Sequence, residues 1–209
     1  MSKFSDGFRG SVNGSVQTTY ADQPGQAIAG MLAFASDINN CDAMFIGETN
    51  GIEAGKGIHG VIGDEGLGFQ RPALLAYLPS GDEAAAQMYG IIVFDEAMQS
   101  MADGSGNPIN GWAKGRVARV LRPGRGGGRI YVKAIEAVVP GTSTVNWVIT
   151  AGSDAKYEVG EFAPGVLNSG TIGTSVAITN AQWVTAAAAG EVAMLELFGN
   201  VVPTFDDSI

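Results

Sequence analysis

Short apolar segments alternate with turn residues along almost the whole chain, and this pattern restricts the fold more than any other feature. Runs rich in Val, Ile, Thr and aromatic residues recur every 8–15 residues, with Gly, Pro, Asn and Asp between them. β-branched and aromatic residues favour strands, whereas Gly and Pro end them. The spacing predicts an all-β protein, either a β-barrel or a jelly-roll-like sandwich.

The predicted strands are those with the clearest apolar runs. They lie at residues 43–47, 57–62, 73–78, 88–95, 144–150, 154–162, 175–179 and 192–198. The alanine-rich residues 184–189 are compatible with a helix. We predict three regions: an extended N-terminal arm at 1–20, a β-domain at 21–200 and an acidic tail at 201–209. Within the arm, Phe4 and Phe8 are candidate anchors on a partner, because a disordered segment rarely contains two phenylalanines.

Residues 114–133 hold seven of the twelve Lys and Arg residues and no acid. Apolar segments on either side of Pro123 and residues 124–128 predict two strands joined as a basic hairpin. The whole chain carries a formal net charge of −9, so the rest of the molecule is strongly acidic. Three interpretations stay open: a solvated tip, a nucleic-acid contact, or docking on an acidic protein such as another copy. The candidate assembly residues are Arg116, Arg119, Arg122, Arg125 and Arg129.

The charge composition of the chain limits the classes of partner that it can bind. The acidic balance argues against nucleic acid or an anionic membrane as the main partner. Charged residues are only 16% of the chain, against a usual ~25%, which suggests surface covered by neighbours. Neither a signal peptide nor an apolar run of about 18 residues is present, so we expect synthesis in a cytoplasm.

Signals for catalysis or cofactors are weak, and we predict no catalytic, metal or cofactor site. The chain has one histidine, His59, and one cysteine, Cys41, too few for a usual zinc site. The segment around Lys56 resembles the end of a phosphate-binding loop, but Asn50 and Gly57 stand where that loop needs Gly and Ser or Thr. Adjacent acidic pairs such as Asp95 and Glu96 point to opposite faces of a strand.

Five segments together are similar to the structural cement, or head decoration, proteins of tailed bacteriophages. They are residues 23–31, 39–60, 88–97 (MYGIIVFDEA), 115–133 and 189–199 (AGEVAMLELFG). The resemblance implies a non-enzymatic β-module on the outer surface of the virion that bridges subunits of the major capsid protein. Self-association as a dimer or trimer is expected as well. A tail or baseplate β-protein is an alternative, and so is a carbohydrate-binding module that stacks sugars on Trp112, Trp147 or Trp183.

Overall fold

The computed structural model describes residues 27–63, 73–82, 87–95, 101–102, 108–109, 111–123 and 127–198. It confirms the all-β class, and the barrel alternative in particular. One 3-10 helix, Ala35–Asn40, precedes the strands. The strands are β1 (Cys41–Ile46), β2 (Ile52–Glu53), β3 (Gly57–Gly63), β4 (Ala73–Tyr77), β5 (Met88–Ile92), β6 (Met101–Ala102), β7 (Pro108–Ile109), β8 (Gly111–Trp112), β9 (Val117–Leu121), β10 (Gly128–Lys133), β11 (Asn146–Ala151), β12 (Phe162–Ala163), β13 (Asn168–Ser169), β14 (Gly173–Ala177), β15 (Ala181–Trp183) and β16 (Val192–Leu197).

Five strands form a closed barrel in the order β1-β4-β3-β5-β9, and β9 closes it by pairing antiparallel with β1. The β1–β4 pair is parallel and the other barrel pairs are antiparallel. Alternation along β1 and β9 sends Met44, Ile46, Ala118 and Val120 into one buried cluster. Closure removes the open edges that a small sheet would otherwise expose.

Besides the barrel, the described strands form a three-stranded sheet, β10-β16-β15, and a four-stranded sheet, β12-β11-β14-β13. Two further two-stranded sheets are β2-β8 and β6-β7. A second buried cluster joins these sheets to the outer side of the barrel. It contains Leu121 and Ile91 from barrel strands, with Ile130 from β10 and Trp147 from β11. A barrel strand therefore contributes to two cores, one on each of its faces, which explains why β5 is buried at every position.

The prediction that the two strands of the basic hairpin pair with each other is wrong, although both strands exist. β9 pairs with β1 and β5 in the barrel, whereas β10 pairs with β16. The chain leaves the barrel between them and crosses to another sheet. Gly127 marks the crossing: its φ is +70° and an added Cβ would lie 1.9 Å from the Leu197 carbonyl oxygen. Only glycine permits so close an approach of two backbones.

Two local predictions also fail. Residues 154–161 form turns instead of a strand, with Ala155 at φ +53°, and only Phe162–Ala163 joins the sheet. The alanine-rich segment 184–189 is not helical; Ala187 makes an isolated bridge to Val138 instead. The predicted arm and acidic tail lie outside the described residues, so their boundaries stay predictions. No helix within the described ranges is long and apolar enough to cross a bilayer.

Candidate assembly surface

Three exposed cations of residues 114–133 lie on the outer side of the barrel at the start of β9, whereas Lys133, also exposed, lies at the end of β10. Lys114 and Arg116 occupy the turn between β8 and β9 and are exposed. Arg119 follows on the outward face of β9, because Ala118 and Val120 on either side of it point into the barrel. We call Lys114, Arg116 and Arg119 the basic edge. Its position follows from strand alternation, which sets successive side chains on opposite faces.

The basic edge is only weakly neutralised by the described part of its own chain. Arg119 Nη1 lies 3.7 Å from Asp95 Oδ2, and 51% of the Arg119 side chain is exposed. Among the described carboxylates, none forms an ion pair with Lys114 or Arg116. A loose, exposed pair such as Arg119–Asp95 contributes little to stability, so these guanidinium groups can take new acidic partners at small cost.

Arg122, in contrast, is part of the barrel. Its Nη1 lies 2.8 Å from Asp42 Oδ2, and its guanidinium carbon is 4.7 Å from the centroid of the Tyr89 ring. The Tyr89 hydroxyl donates a 2.7 Å hydrogen bond to the same Asp42 oxygen. Asp42 comes from β1, Tyr89 from β5 and Arg122 from the end of β9, so the three side chains join three barrel strands. Arg122 is committed within the fold.

Arg129 is likewise engaged within the chain, at the start of β10. Its Nε donates to Glu196 Oε1 of β16 at 2.9 Å, and its guanidinium carbon lies 5.6 Å from the Phe34 ring centroid. Its backbone N–H donates to Asp37 Oδ2 at 3.0 Å. The segment predicted as one basic surface is therefore divided between two sheets. Arg125, Phe4 and Phe8 lie outside the described residues.

A charged cluster that the sequence did not indicate connects the barrel to the β12-β11-β14-β13 sheet. Lys56 is buried, pairs with Glu158 and lies 3.7 Å from Glu53. The hydrogen bond from Lys56 lowers the pKa of Glu158. Glu161, also buried, accepts the Glu158 N–H at 2.8 Å and lies 3.5 Å from Lys133. Burial raises the pKa of Glu161. Since both ammonium groups have carboxylate partners, the cluster has a structural role.

The isolated candidates for chemistry do not assemble into a site. Burial raises the pKa of the Cys41 thiol to about 11, which suppresses the nucleophilic thiolate. Cys41 on β1 and His59 on β3 are separated by β4 in the barrel order, and His59 stacks on Tyr77 with ring centroids 5.9 Å apart. Within the described ranges no three His, Cys, Asp or Glu side chains cluster as metal ligands would.

The tryptophans proposed as sugar platforms are mainly core residues. Trp147 is fully buried and Trp183 is 3% exposed, with its Nε1 donating to the Thr144 carbonyl at 2.9 Å. Trp112 is half-buried against the barrel cluster and its Nε1 donates to the Val93 carbonyl at 3.3 Å. A stacking platform needs an accessible ring face, so the structure does not support the carbohydrate-binding alternative.

The class of protein to which this β-fold belongs follows from comparison with known proteins. A family model described as "Structural cement protein (E217 gp24/Pam3 gp6)" matches residues 16–198. A chain of the solved structure titled "The capsid of Myoviridae Phage XM1" matches with a TM-score of 0.52 and 17% identity, covering 85% of this chain and 94% of that one. At this identity the structural match shows a shared fold. No significant match to a curated protein is found.

Because the family model spans most of its length, the chain belongs to the phage structural cement protein family. It is a non-enzymatic structural component of a phage capsid. This confirms the resemblance that its glycine-rich and apolar segments indicated, and it favours the head over the tail or baseplate alternative.

Proposed function

We propose that this capsid protein cements the head by bridging neighbouring subunits of the major capsid protein from the outer surface. The observation that carries the proposal is the basic edge: three exposed cations at one side of the barrel in a chain of net charge −9. Opposed charge speeds association and fixes register, and arginine pairs well with carboxylates. The occupant of the basic edge is an acidic surface of the coat.

The contact depends on the exposed members of the predicted set. Arg116 and Arg119, with Lys114, carry it, because Arg122 and Arg129 already pair with Asp42 and Glu196. Arg125, Phe4 and Phe8 belong to the same proposal as a further cation and as apolar anchors of the arm. Each exposed ion pair contributes only ~0–1 kcal/mol. Strength therefore comes from several cations and from two coat subunits held at once, as in other multivalent contacts.

The test is co-sedimentation of each variant with capsids that lack the protein, across a salt series. Arg116→Glu should weaken binding at low salt, because the loss of one ion pair is repeated at every copy on the capsid, and wild-type binding should itself fall once the Debye length drops below ~8 Å. Lys156→Glu is the matched control, because it changes the charge equally at an exposed residue of another region. If Arg116→Glu binds like the wild type at every salt concentration, the basic edge is not the coat contact.

A further inference from the structure

The three-stranded sheet β10-β16-β15 has one buried face and one outer face. The buried face contributes five side chains to the second cluster, those of Ile130, Val132, Ala193, Leu195 and Leu197. Side chains alternate along a strand, so the neighbours of these residues point away from that cluster. They are partly or fully exposed and comprise Arg129, Tyr131 and Lys133 on β10 with Val192, Met194 and Glu196 on β16. We call this side of the sheet the outer sheet face.

Residues 30–33 lie beside β10 and enlarge the outer sheet face. The Tyr131 N–H donates to the Met31 carbonyl at 2.9 Å, which holds this segment against the strand. Leu32, the next residue, packs on the buried cluster, so Met31 lies on the outer side. Phe34 follows and is also exposed. The segment thus adds two large apolar side chains to the outer sheet face.

A row of contacts crosses the outer sheet face from one edge to the other. The Arg129 guanidinium carbon lies 5.6 Å from the centroid of the Phe34 ring. The Arg129 Nε donates to Glu196 Oε1 at 2.9 Å. Gln182 Nε2 of β15 donates to the other oxygen of Glu196 at 2.7 Å. Because the row joins all the neighbouring segments, they present one continuous surface.

Phe198 extends the outer sheet face beyond the end of β16. Its N–H donates to the Asn180 carbonyl at 2.8 Å, which continues the pairing of β15 with β16 by one residue. Alternation therefore places its ring on the same side as Glu196. Met31, Phe34 and Phe198 are 42%, 50% and 41% exposed. Aromatic residues, methionine and arginine are enriched in contact surfaces, so this face has the composition of a surface that another segment covers.

We propose that residues 199–209 form a strap that lies across the outer sheet face of the same chain. The strap follows directly after Phe198, so it is tethered at the end of the face that it covers, and a short tether gives a high effective concentration. Gly199 and Asn200 are turn residues, which reverse the chain in this arrangement. The apolar side chains that cover the face are Val201, Val202 and Phe205.

Pro203 favours a strap across the face over an added strand at a sheet edge. Proline has no N–H group and cannot donate to a ladder of backbone hydrogen bonds. It stands between Val202 and Phe205 in the apolar part of the strap. Contact through side chains is open to this segment, because such contact needs no backbone donor.

The charges of the strap and of the outer sheet face are opposite. Residues 199–209 contain Asp206 and Asp207 and neither Lys nor Arg. On the face, 54% of the Lys133 side chain is exposed, and its Nζ lies 3.5 Å from Glu161 Oε1. An ammonium group has three N–H donors, so Lys133 can bind a second carboxylate. The aspartates of the strap supply it.

The length of the strap brings its aspartates to Lys133. In the register of β10 and β16, Lys133 is opposite Val192. A strand rises ~3.3 Å per residue, so the distance along β16 from Val192 to Phe198 is ~20 Å. After a reversal at residues 199–200, an extended run over residues 201–206 covers about 20 Å in the opposite direction. The first aspartate therefore arrives level with the lysine.

The strap leaves the basic edge open for the coat. The basic edge belongs to the barrel, whereas the outer sheet face belongs to the β10-β16-β15 sheet. The strap closes an apolar surface that otherwise exposes Phe34 and Phe198 in every free copy of the protein. Such surfaces promote aggregation when nothing covers them, so the strap protects the free protein before it joins the capsid.

The test is zero-length cross-linking of the free, full-length protein with a carbodiimide, which joins a carboxylate to an amine only where the two are in contact. Mass spectrometry of the monomer should find a peptide in which Lys133 is joined to Asp206 or Asp207. Lys133→Arg is the matched control, because it keeps the charge and removes the reactive amine. The contact of Lys156 with Glu136 serves as the internal positive control.

A second measurement follows the apolar surface itself. Val202→Ser/Phe205→Ser removes two of the covering side chains and should raise the fluorescence of ANS, a dye that binds exposed apolar surface, by about twofold or more. Thr204→Ser, which changes a polar residue of the same segment, is the control and should leave the fluorescence unchanged.

Several results would overturn the proposal. Coupling of the aspartates to Lys114 would place the strap on the basic edge, and coupling found only between two copies would make the contact an exchange between chains. If Lys156 couples but Lys133 does not couple to the strap, the outer sheet face is left to another occupant such as the coat. Dye fluorescence that the double serine variant does not change has the same meaning. In co-sedimentation, that variant should still bind capsids in the manner that depends on Arg116.

Discussion

Arg122 forms an ion pair of 2.8 Å with Asp42 that ties the end of β9 to the start of β1. Both side chains are largely buried, with 19% and 16% of their surface exposed. The barrel closes through the pairing of these two strands, which are about 75 residues apart in the sequence. An arginine that belongs to a basic segment by sequence thus acts as a structural residue of the barrel.

The first prediction concerns this ion pair. Arg122→Met should lower the free energy of unfolding by about 2–3 kcal/mol, because it leaves the Asp42 carboxylate without its guanidinium partner. Arg116→Met, at the exposed turn, should change it by less than about 0.5 kcal/mol. Urea denaturation of both variants measures the difference. Equal effects of the two substitutions would show that Arg122 does not hold the barrel closed.

The second prediction concerns the dependence of stability on pH at Glu161. Burial raises the pKa of Glu161 above its ordinary value of 4.5, so the folded state holds this proton more tightly than the unfolded state. The stabilisation that this bound proton gives to the folded state is present at acidic pH. It is lost as the pH rises from the ordinary pKa through the raised pKa of Glu161. Three other carboxyl groups have lowered pKa values, those of Glu158, Glu136 and Glu196. The stabilisation that these groups give is present near neutral pH and is lost as the pH falls below their ordinary pKa.

Glu161→Gln removes the titrating group and keeps an acceptor for the Glu158 N–H. The stability of this variant relative to the wild type should therefore increase as the pH rises from about 4.5 to 7. Chemical denaturation at several pH values measures this relative stability. A difference between the two proteins that stays constant across the range would contradict the assignment of Glu161 as the buried, proton-holding carboxyl.

The third prediction concerns the packing of the barrel against the neighbouring sheet. An added Cβ at Gly57 would lie 2.7 Å from Trp147 Nε1 and 2.9 Å from Phe162 Cζ, both in the buried core. Gly57→Ala should cost about 1–3 kcal/mol, since both rings are packed in the buried core and must shift to admit the methyl group. Gly165→Ala is the control, because an added Cβ there meets no atom within 4 Å. Thermal unfolding should separate the two variants clearly.

The fourth prediction concerns the arm at residues 1–20. A variant that begins at Tyr20 should bind capsids more weakly than the full chain, because Phe4 and Phe8 can each contribute ~1.5–3 kcal/mol when fully buried on a partner. Phe4→Ser/Phe8→Ser should reproduce most of the loss, which separates the anchors from the rest of the arm. Undiminished capsid affinity of the shortened chain would rule out the arm as an anchor.

Local patterns in the sequence were sufficient for most of the longer strands and for the class of protein. The alternation in residues 117–121 and 192–197 and the glycines between apolar runs determine extended segments and turns, because side-chain period and φ preference act within a few residues. The shortage of histidine and cysteine correctly indicated a protein without catalysis, which family membership confirms.

Tertiary structure alone decided which strands pair and which charges stay available. β9 and β10 are neighbours in the sequence, yet β9 buries Ala118 and Val120 inside the barrel while β10 buries Ile130 against β16. The choice of partner depends on burying apolar surface from distant parts of the chain, and this free energy far exceeds what a short turn can contribute. The same choice places Arg122 beside Asp42 and leaves Arg116 on the surface, although the two arginines look alike in the sequence.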